Sequence, residues 1–168
     1  MEALPIEILC DIFLLSLPHN GISSLNEIPF ISSNESILTP LNISHVCRTW
    51  RNVALAYGEL WSYLRIRFDN RCWKFKTQRN RYLNIIDTWL SRTNDSPINF
   101  VVHCSLNCHG CEMDDEAYSD AERIVISLVE HQNRWKDVYF YWRCVKISRE
   151  TSRRLALDNM PMLTSLCM

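Results

Sequence analysis

Cys104, Cys108 and Cys111, interleaved with His103 and His109, are the densest set of metal-competent side chains in the 168-residue sequence. A C-x3-C-x2-C spacing with adjacent histidines offers the nitrogen and sulfur donors that a tetrahedral zinc ion takes. No second CxxC or HxxxH pair stands at zinc-finger distance. His103 and Cys104 also fall at the end of an expected strand, where a buried free thiol is ordinary. The cluster is a weak metal candidate, and an unliganded loop is the favoured reading. Thiol catalysis by Cys104 or Cys108 would need a matched base and a group to orient it, and neither can be named. Cys47 has Arg48 beside it, an electropositive neighbour, but packing accounts for the position.

Two charge runs come next. Arg65, Arg67, Arg71, Lys74, Lys76, Arg79 and Arg81 stand with Trp73 and Phe75 among them and only Asp69 opposing. Basic residues interleaved with aromatics can grip phosphates and stack on bases. A solvated loop and helix start is the plainer reading, and a patch for an acidic protein lies between the two. Glu112, Asp114, Asp115, Glu116, Asp120 and Glu122 form the acidic counterpart. They read as a solvated lead-in to a helix whose dipole they favour, since no calcium-loop pattern accompanies them. With three glycines in all and no GxGxxG, P-loop, HExxH or GxSxG pattern, the sequence offers no phosphate cradle or nucleophile elbow. It reads as non-catalytic, with no cofactor.

A formal net charge of −1 creates no global field toward nucleic acid or membrane. The first residues do not read as an export signal, so the eight cysteines are expected as reduced thiols in a cytoplasmic or nuclear protein. Sequons at Asn34, Asn42 and Asn94 are then chance matches.

The elements that must position these groups begin with Ile6–Leu17, in which only Glu7, Asp11 and Ser16 are polar. With Pro5 suited to a first helical turn, this is a short helix that is apolar almost all round. Such a helix is covered on more than one side, and it is too short to span a bilayer, which takes about 20 residues. One face is expected inside the chain and the other against a partner. Pro18 ends it. Residues 18–38 read as an exposed loop. Pro40 opens a short helix over 41–44. A longer one runs from 45 to 57, with Val46, Trp50, Val53 and Tyr57 on one face.

Beyond Gly58 the pattern alternates between strands and helices: strand 63–68, helix 78–91, strand 97–102, helix 120–133, strand 135–140, helix 148–158 and strand 163–168. Trp61/Leu64/Ile66, Trp135/Val138/Phe140 and Leu163/Leu166/Met168 place apolar residues at the same offsets. Ile98 and Phe100 fit the last two of them. This is an imperfect strand–helix repeat, as in a solenoid, and such alternation implies a parallel sheet. The uncapped last strand leads to the expectation of a truncated array. The polar alternates Tyr63, Arg65, Arg67, Asn99, Tyr139 and Tyr141 share the other face and are candidate contacts for a protein substrate.

Leu4-Pro5-Ile6-Glu7-Ile8-Leu9-Cys10-Asp11-Ile12-Phe13 resembles the opening helix of an F-box, and Val46-Cys47-Arg48-Thr49-Trp50-Arg51 resembles its closing helix. Leu60-Trp61-Ser62 is similar to the segment just past that helix in fungal F-box proteins with degenerate leucine-rich repeats. The resemblance implies an α+β fold: a three-helix F-box over 1–60, carrying the loop 18–38, then an irregular leucine-rich-repeat-like α/β solenoid over 61–168. It also implies a substrate receptor of an SCF-type cullin–RING ubiquitin ligase. The F-box would bind a Skp-type adaptor, and through it a cullin, while the repeats hold a protein target. By motif position, Leu4, Pro5, Ile8, Leu9 and Ile12 would contact the adaptor, and Val46, Cys47, Trp50 and Arg51 would form a second patch. Phe13 and Leu17 are expected inside the helical module. One alternative is a truncated decoy that occupies the adaptor without a substrate. A less favoured one is a nucleic-acid binder using 65–81.

Overall fold

The computed structural model describes residues 4–17, 30–31, 39–69, 75–105, 115–143, 148–154 and 160–167. The first helix, α1, spans Ile6–Ser16. Pro5 is its N-cap rather than its first helical residue: ψ is 145°, and its carbonyl accepts from the Leu9 amide at 3.1 Å. Leu17 closes the helix in an extended conformation, ψ 147°, as a residue before proline must. Helices α2 (Thr39–Ser44) and α3 (Arg48–Ala56) come next. The expected helix start at 45 moves to 48, because His45 and Val46 turn and the Cys47 sulfur caps α3 by accepting from the Trp50 amide at 3.4 Å.

Five strands make one parallel sheet whose spatial order is the chain order: β1 (Phe30–Ile31), β2 (Tyr63–Asp69), β3 (Ile98–Ser105), β4 (Trp135–Arg143) and β5 (Ser165–Cys167). Helices α4 (Lys76–Arg92), α5 (Asp115–Val129) and α6 (Arg149–Arg154) alternate with them. The chain is thus a mixed α and β fold with a parallel sheet. β1 corrects the expectation that 18–38 is only an exposed loop: Phe30 and Ile31 pair with Arg65 and Ile66 at the sheet's first edge. Aromatic and β-branched residues suit such an edge. The expected helix to 133 ends instead at Val129, and a 3-10 turn over Gln132–Arg134 leads into β4.

The matching apolar offsets pair across the sheet, but with a shift at β3. Leu64 pairs with Phe100, not Ile98, then Phe100 with Val138 and Val138 with Leu166. Ile98 lies opposite Trp135. A slip of two residues keeps the same face inward, so the inward set of Leu64, Ile66, Ile98, Phe100, Val102, Val138 and Phe140 is buried as expected. Two tryptophans repeat one device. The Trp61 indole N–H donates to the Ala54 carbonyl at 2.8 Å, and that of Trp135 donates to the Leu128 carbonyl at 3.1 Å. Each ties the entry of a strand to the end of the helix seven residues before it. One continuous core cluster runs from Leu9 and Phe13 of α1 to Met160, so the two expected modules share an interior.

Candidate partner-binding surface

α1 has two apolar sides, and the protein covers one of them. Leu9 and Phe13 are 3% and 1% exposed. The Phe13 ring meets Trp50 of α3 edge to face at 5.0 Å, and Cys10, Leu14 and Leu17 pack partly against the same core. On the opposite side Leu4, Ile8, Ile12 and Leu15 remain 42–68% exposed. Their spacing of three and four residues puts them on one stripe. Ile6, 59% exposed, stands apart near the helix start. Pro5 is exposed as well. Single exposed aliphatic residues are commonplace; a continuous stripe of them marks an interaction surface.

The adaptor set implied by the resemblance therefore divides. Leu4, Pro5, Ile8 and Ile12 lie on the surface, whereas Leu9 does not: it belongs to the core, because it shares the helix face of Phe13. Leu15 joins the exposed stripe although the motif does not include it; its i+3 spacing from Ile12 is the signal that finds it. In the second patch, Val46 is 60% exposed and Cys47 is exposed. Trp50 is half-buried, held by Phe13. Arg51 is exposed, but its Nε–H donates to the Ser44 carbonyl at 2.9 Å and fastens the end of α2. Burial, reinforced by the charges of Asp11 and Glu7, pushes the Cys10 thiol pKa up, which leaves it the inert protonated form.

The sheet has one covered face and one open face. On the open face Tyr63 and Tyr141 are 41% and 40% exposed, and Arg67 and His103 are exposed. Arg65 and Tyr139 are half-buried on either side of Val101. Asn99, expected on this surface, is instead buried, at 7% exposure. His103 lies outside the expected set for this face, yet it pairs in register with Arg67 and Tyr141, its ring 6.1 Å from that of Tyr141.

The zinc candidates do not converge among the described residues. His103 is exposed on the open face while Cys104, its neighbour in β3, is 1% exposed in the core. Successive strand residues point to opposite faces, so the pair cannot share an ion. Cys108, His109 and Cys111 lie outside the described residues. No group of three potential metal ligands occurs among the described residues.

The two charge runs partly neutralise each other. Arg79 points into the interior, its Nε 2.8 Å from Asp120 Oδ2 and its Nη2 3.2 Å from Glu116 Oε2. Lys76 pairs with Glu116. Arg65 and Arg67 belong to the sheet, and Arg81 is exposed on α4. The described basic residues of 65–81 thus face three directions instead of forming one phosphate-binding surface. In the acidic run, Glu122 accepts from the Ser148 amide at 3.0 Å and from the Thr151 hydroxyl at 2.5 Å. Hydrogen bonding from the Ser148 side chain, then from the Thr151 side chain and last from the Ser148 amide, holds its carboxyl below the usual carboxylate range. No helix among the described residues is long and apolar enough to cross a membrane.

No family model, no curated protein and no solved structure matches the chain.

Proposed function

We propose that the chain is a non-catalytic substrate receptor. The exposed stripe of α1 docks on a Skp-type adaptor of a cullin–RING ubiquitin ligase, and the α/β part presents a protein target to it. The observation that carries this is the two-sided burial of α1: Leu9 and Phe13 sealed, Leu4, Ile8, Ile12 and Leu15 bare. The motif resemblance at 4–13 and 46–51 names the partner. Ubiquitin transfer would occur elsewhere in the assembly, with proximity as this chain's contribution.

Magnitude sets the size of the interface. Fully burying an aliphatic side chain is worth about 1.5–3 kcal/mol. The four stripe residues and Val46 retain 42–68% of their exposure, so covering them gains roughly 5 kcal/mol gross. Association costs at least about 4 kcal/mol. A stable complex therefore requires contacts beyond the stripe, for which Cys47, Arg51 and the polar flank of Glu7 and Asp11 are placed on the surface. The exposed tyrosines, arginines and histidine of the open sheet face are the proposed target contacts.

The test is capture of a purified Skp-type adaptor by the full chain and by the Ile8→Asp/Ile12→Asp variant. The variant is expected to lose capture while its unfolding midpoint stays within a few degrees of the parent. Undiminished capture would overturn the proposal. Ubiquitination of a co-purifying protein in a reconstituted ligase separates a receptor from a decoy that binds the adaptor alone.

A further inference from the structure

A cleft of about 520 Å³ runs along the solvent side of α4, between that helix and Leu41 of α2. Its floor is apolar and fixed. Trp61 and Trp89 meet edge to face at 4.8 Å, and the Trp89 indole N–H donates to the Trp61 carbonyl at 2.7 Å. Leu41 and Ile85 complete the floor. Its wall is polar and uncommitted. Among the described residues the side chains of Asn80, Arg81 and Asn84 make no hydrogen bond or ion pair. Among the described residues that line the cleft, two are guanidinium groups, Arg81 and Arg92, and none is a carboxylate. Arg92 lies 4.5 Å over the Trp61 ring, which holds its charge in place.

Length and spacing select the ligand. The lining on α4 extends from Thr77 to Arg92, about 22 Å at 1.5 Å per residue. That is the reach of about six or seven residues of extended chain, and too long for a compact metabolite. Asn80 and Asn84 lie about 6 Å apart along the helix axis. Alternate residues of an extended chain repeat at about 6.8 Å, so two side-chain amides can meet peptide groups on one edge of such a segment.

We propose that this cleft is a docking site for an acidic linear peptide. The peptide lies extended along α4, directs its carboxylates to Arg81 and Arg92, and seats one apolar side chain on Leu41 and Ile85. This site is separate from the exposed stripe of α1 and does not depend on the adaptor assignment.

The test is fluorescence anisotropy on the full chain with two labelled heptapeptides at about 0.15 M salt, where long-range charge effects are screened. One carries three Asp or Glu residues with a Leu and a Phe; the other has Lys at each acidic position. The acidic peptide is expected to bind saturably and at least about tenfold more tightly than its charge-reversed partner. Arg81→Glu is expected to weaken it by about tenfold or more, while Arg149→Glu, the same charge change on α6, alters it less than about twofold. Equal binding of both peptides, equal weakening by both variants, or binding of a single-stranded oligonucleotide in place of the peptide would each overturn the proposal. The adaptor assignment is read separately. Arg81→Glu should retain adaptor capture, and Ile8→Asp/Ile12→Asp should retain the peptide.

Discussion

Arg79 Nε and Asp120 Oδ2 lie 2.8 Å apart with side-chain exposures of 2% and 8%, joining α4 to α5 inside the protein. Glu116 shares the guanidinium at 3.2 Å, and Arg123 reaches the other Asp120 oxygen at 3.4 Å. The pair is a seam between two strand–helix units. It also removes a cation that the linear sequence places in a surface patch.

Breaking such a pair from one side leaves a buried charge without its partner, which typically costs 3–5 kcal/mol. Asp120→Ala is expected to destabilise the fold by about 3 kcal/mol, toward the low end because Glu116 remains. Replacing both partners, Arg79→Met with Asp120→Leu, is expected to cost clearly less, since apolar groups of similar volume can substitute for a buried pair. Urea unfolding midpoints of the three proteins measure the difference. Equal losses in both variants would show that the pair is not acting as a charge seam.

The two sides of α1 should respond oppositely to substitution. Leu9→Ala removes a buried aliphatic side chain and is expected to cost about 2–5 kcal/mol. Ile12→Ser, on the bare stripe, is expected to leave stability within about 0.5 kcal/mol. Thermal or chemical unfolding reads both. A similar loss in the two variants would mean that the stripe is covered within the chain.

The contrast also shows what is legible in the residues. That α1 is apolar on two sides comes from its having only Glu7, Asp11 and Ser16 as polar positions. Which side turns inward is not readable there, because Leu9 and Ile8 are chemically alike; Phe13 against Trp50 decides it. The inward sheet register is readable through Trp61 and Trp135, whose apolar offsets match. At β3, Ile98 and Phe100 can be placed two residues apart with equal sense, because a period of two hides such a slip. The polarity of Asn99 suggests exposure, yet it is 7% exposed while His103 on the same strand is exposed. Arg79 cannot be paired from the sequence at all: Asp120 lies 41 residues away, and only the packing of α4 on α5 brings them together.

Gly58 is a second position where distant chain segments meet. A Cβ there would stand 2.4 Å from the Thr93 carbonyl oxygen and 2.9 Å from its carbon. These are backbone atoms at the C-terminal end of α4, beside Asn94 with its positive φ of 47°. Arg134 donates to the Thr93 hydroxyl at 2.9 Å and to the Asn94 carbonyl, so the segment is held from the other side and cannot retreat freely. Gly58→Ala is expected to destabilise by about 1–3 kcal/mol, the usual cost of overpacking, as measured by a fall in the urea midpoint. An unchanged midpoint would show that the Thr93 turn yields.

Glu122 gives the fold a defined acid response. Its carboxylate accepts from the Ser148 amide and the Thr151 hydroxyl, and Thr151 itself is buried at 2% exposure. The Ser148 side chain caps α6 by accepting from the Thr151 amide at 3.1 Å, so one carboxylate orders the start of this helix and docks it on α5. The Ser148 and Thr151 side chains, with the Ser148 amide adding to them, lower the folded pKa of Glu122 from the ordinary 4.5. A depressed carboxylate contributes stability that is fully present above its unfolded value and is lost as pH falls through the folded one. α6 is therefore expected to stay docked above about pH 4.5 and to loosen below it, before the core opens. Hydrogen exchange at the Ser148 and Thr151 amides, tracked from neutral pH into acid and corrected for intrinsic rates, should show protection falling there first. Glu122→Ala should give the unprotected pattern of α6 at neutral pH. If the two amides keep their protection in Glu122→Ala, the cap on α6 is sufficient without the carboxylate and the acid response must arise elsewhere.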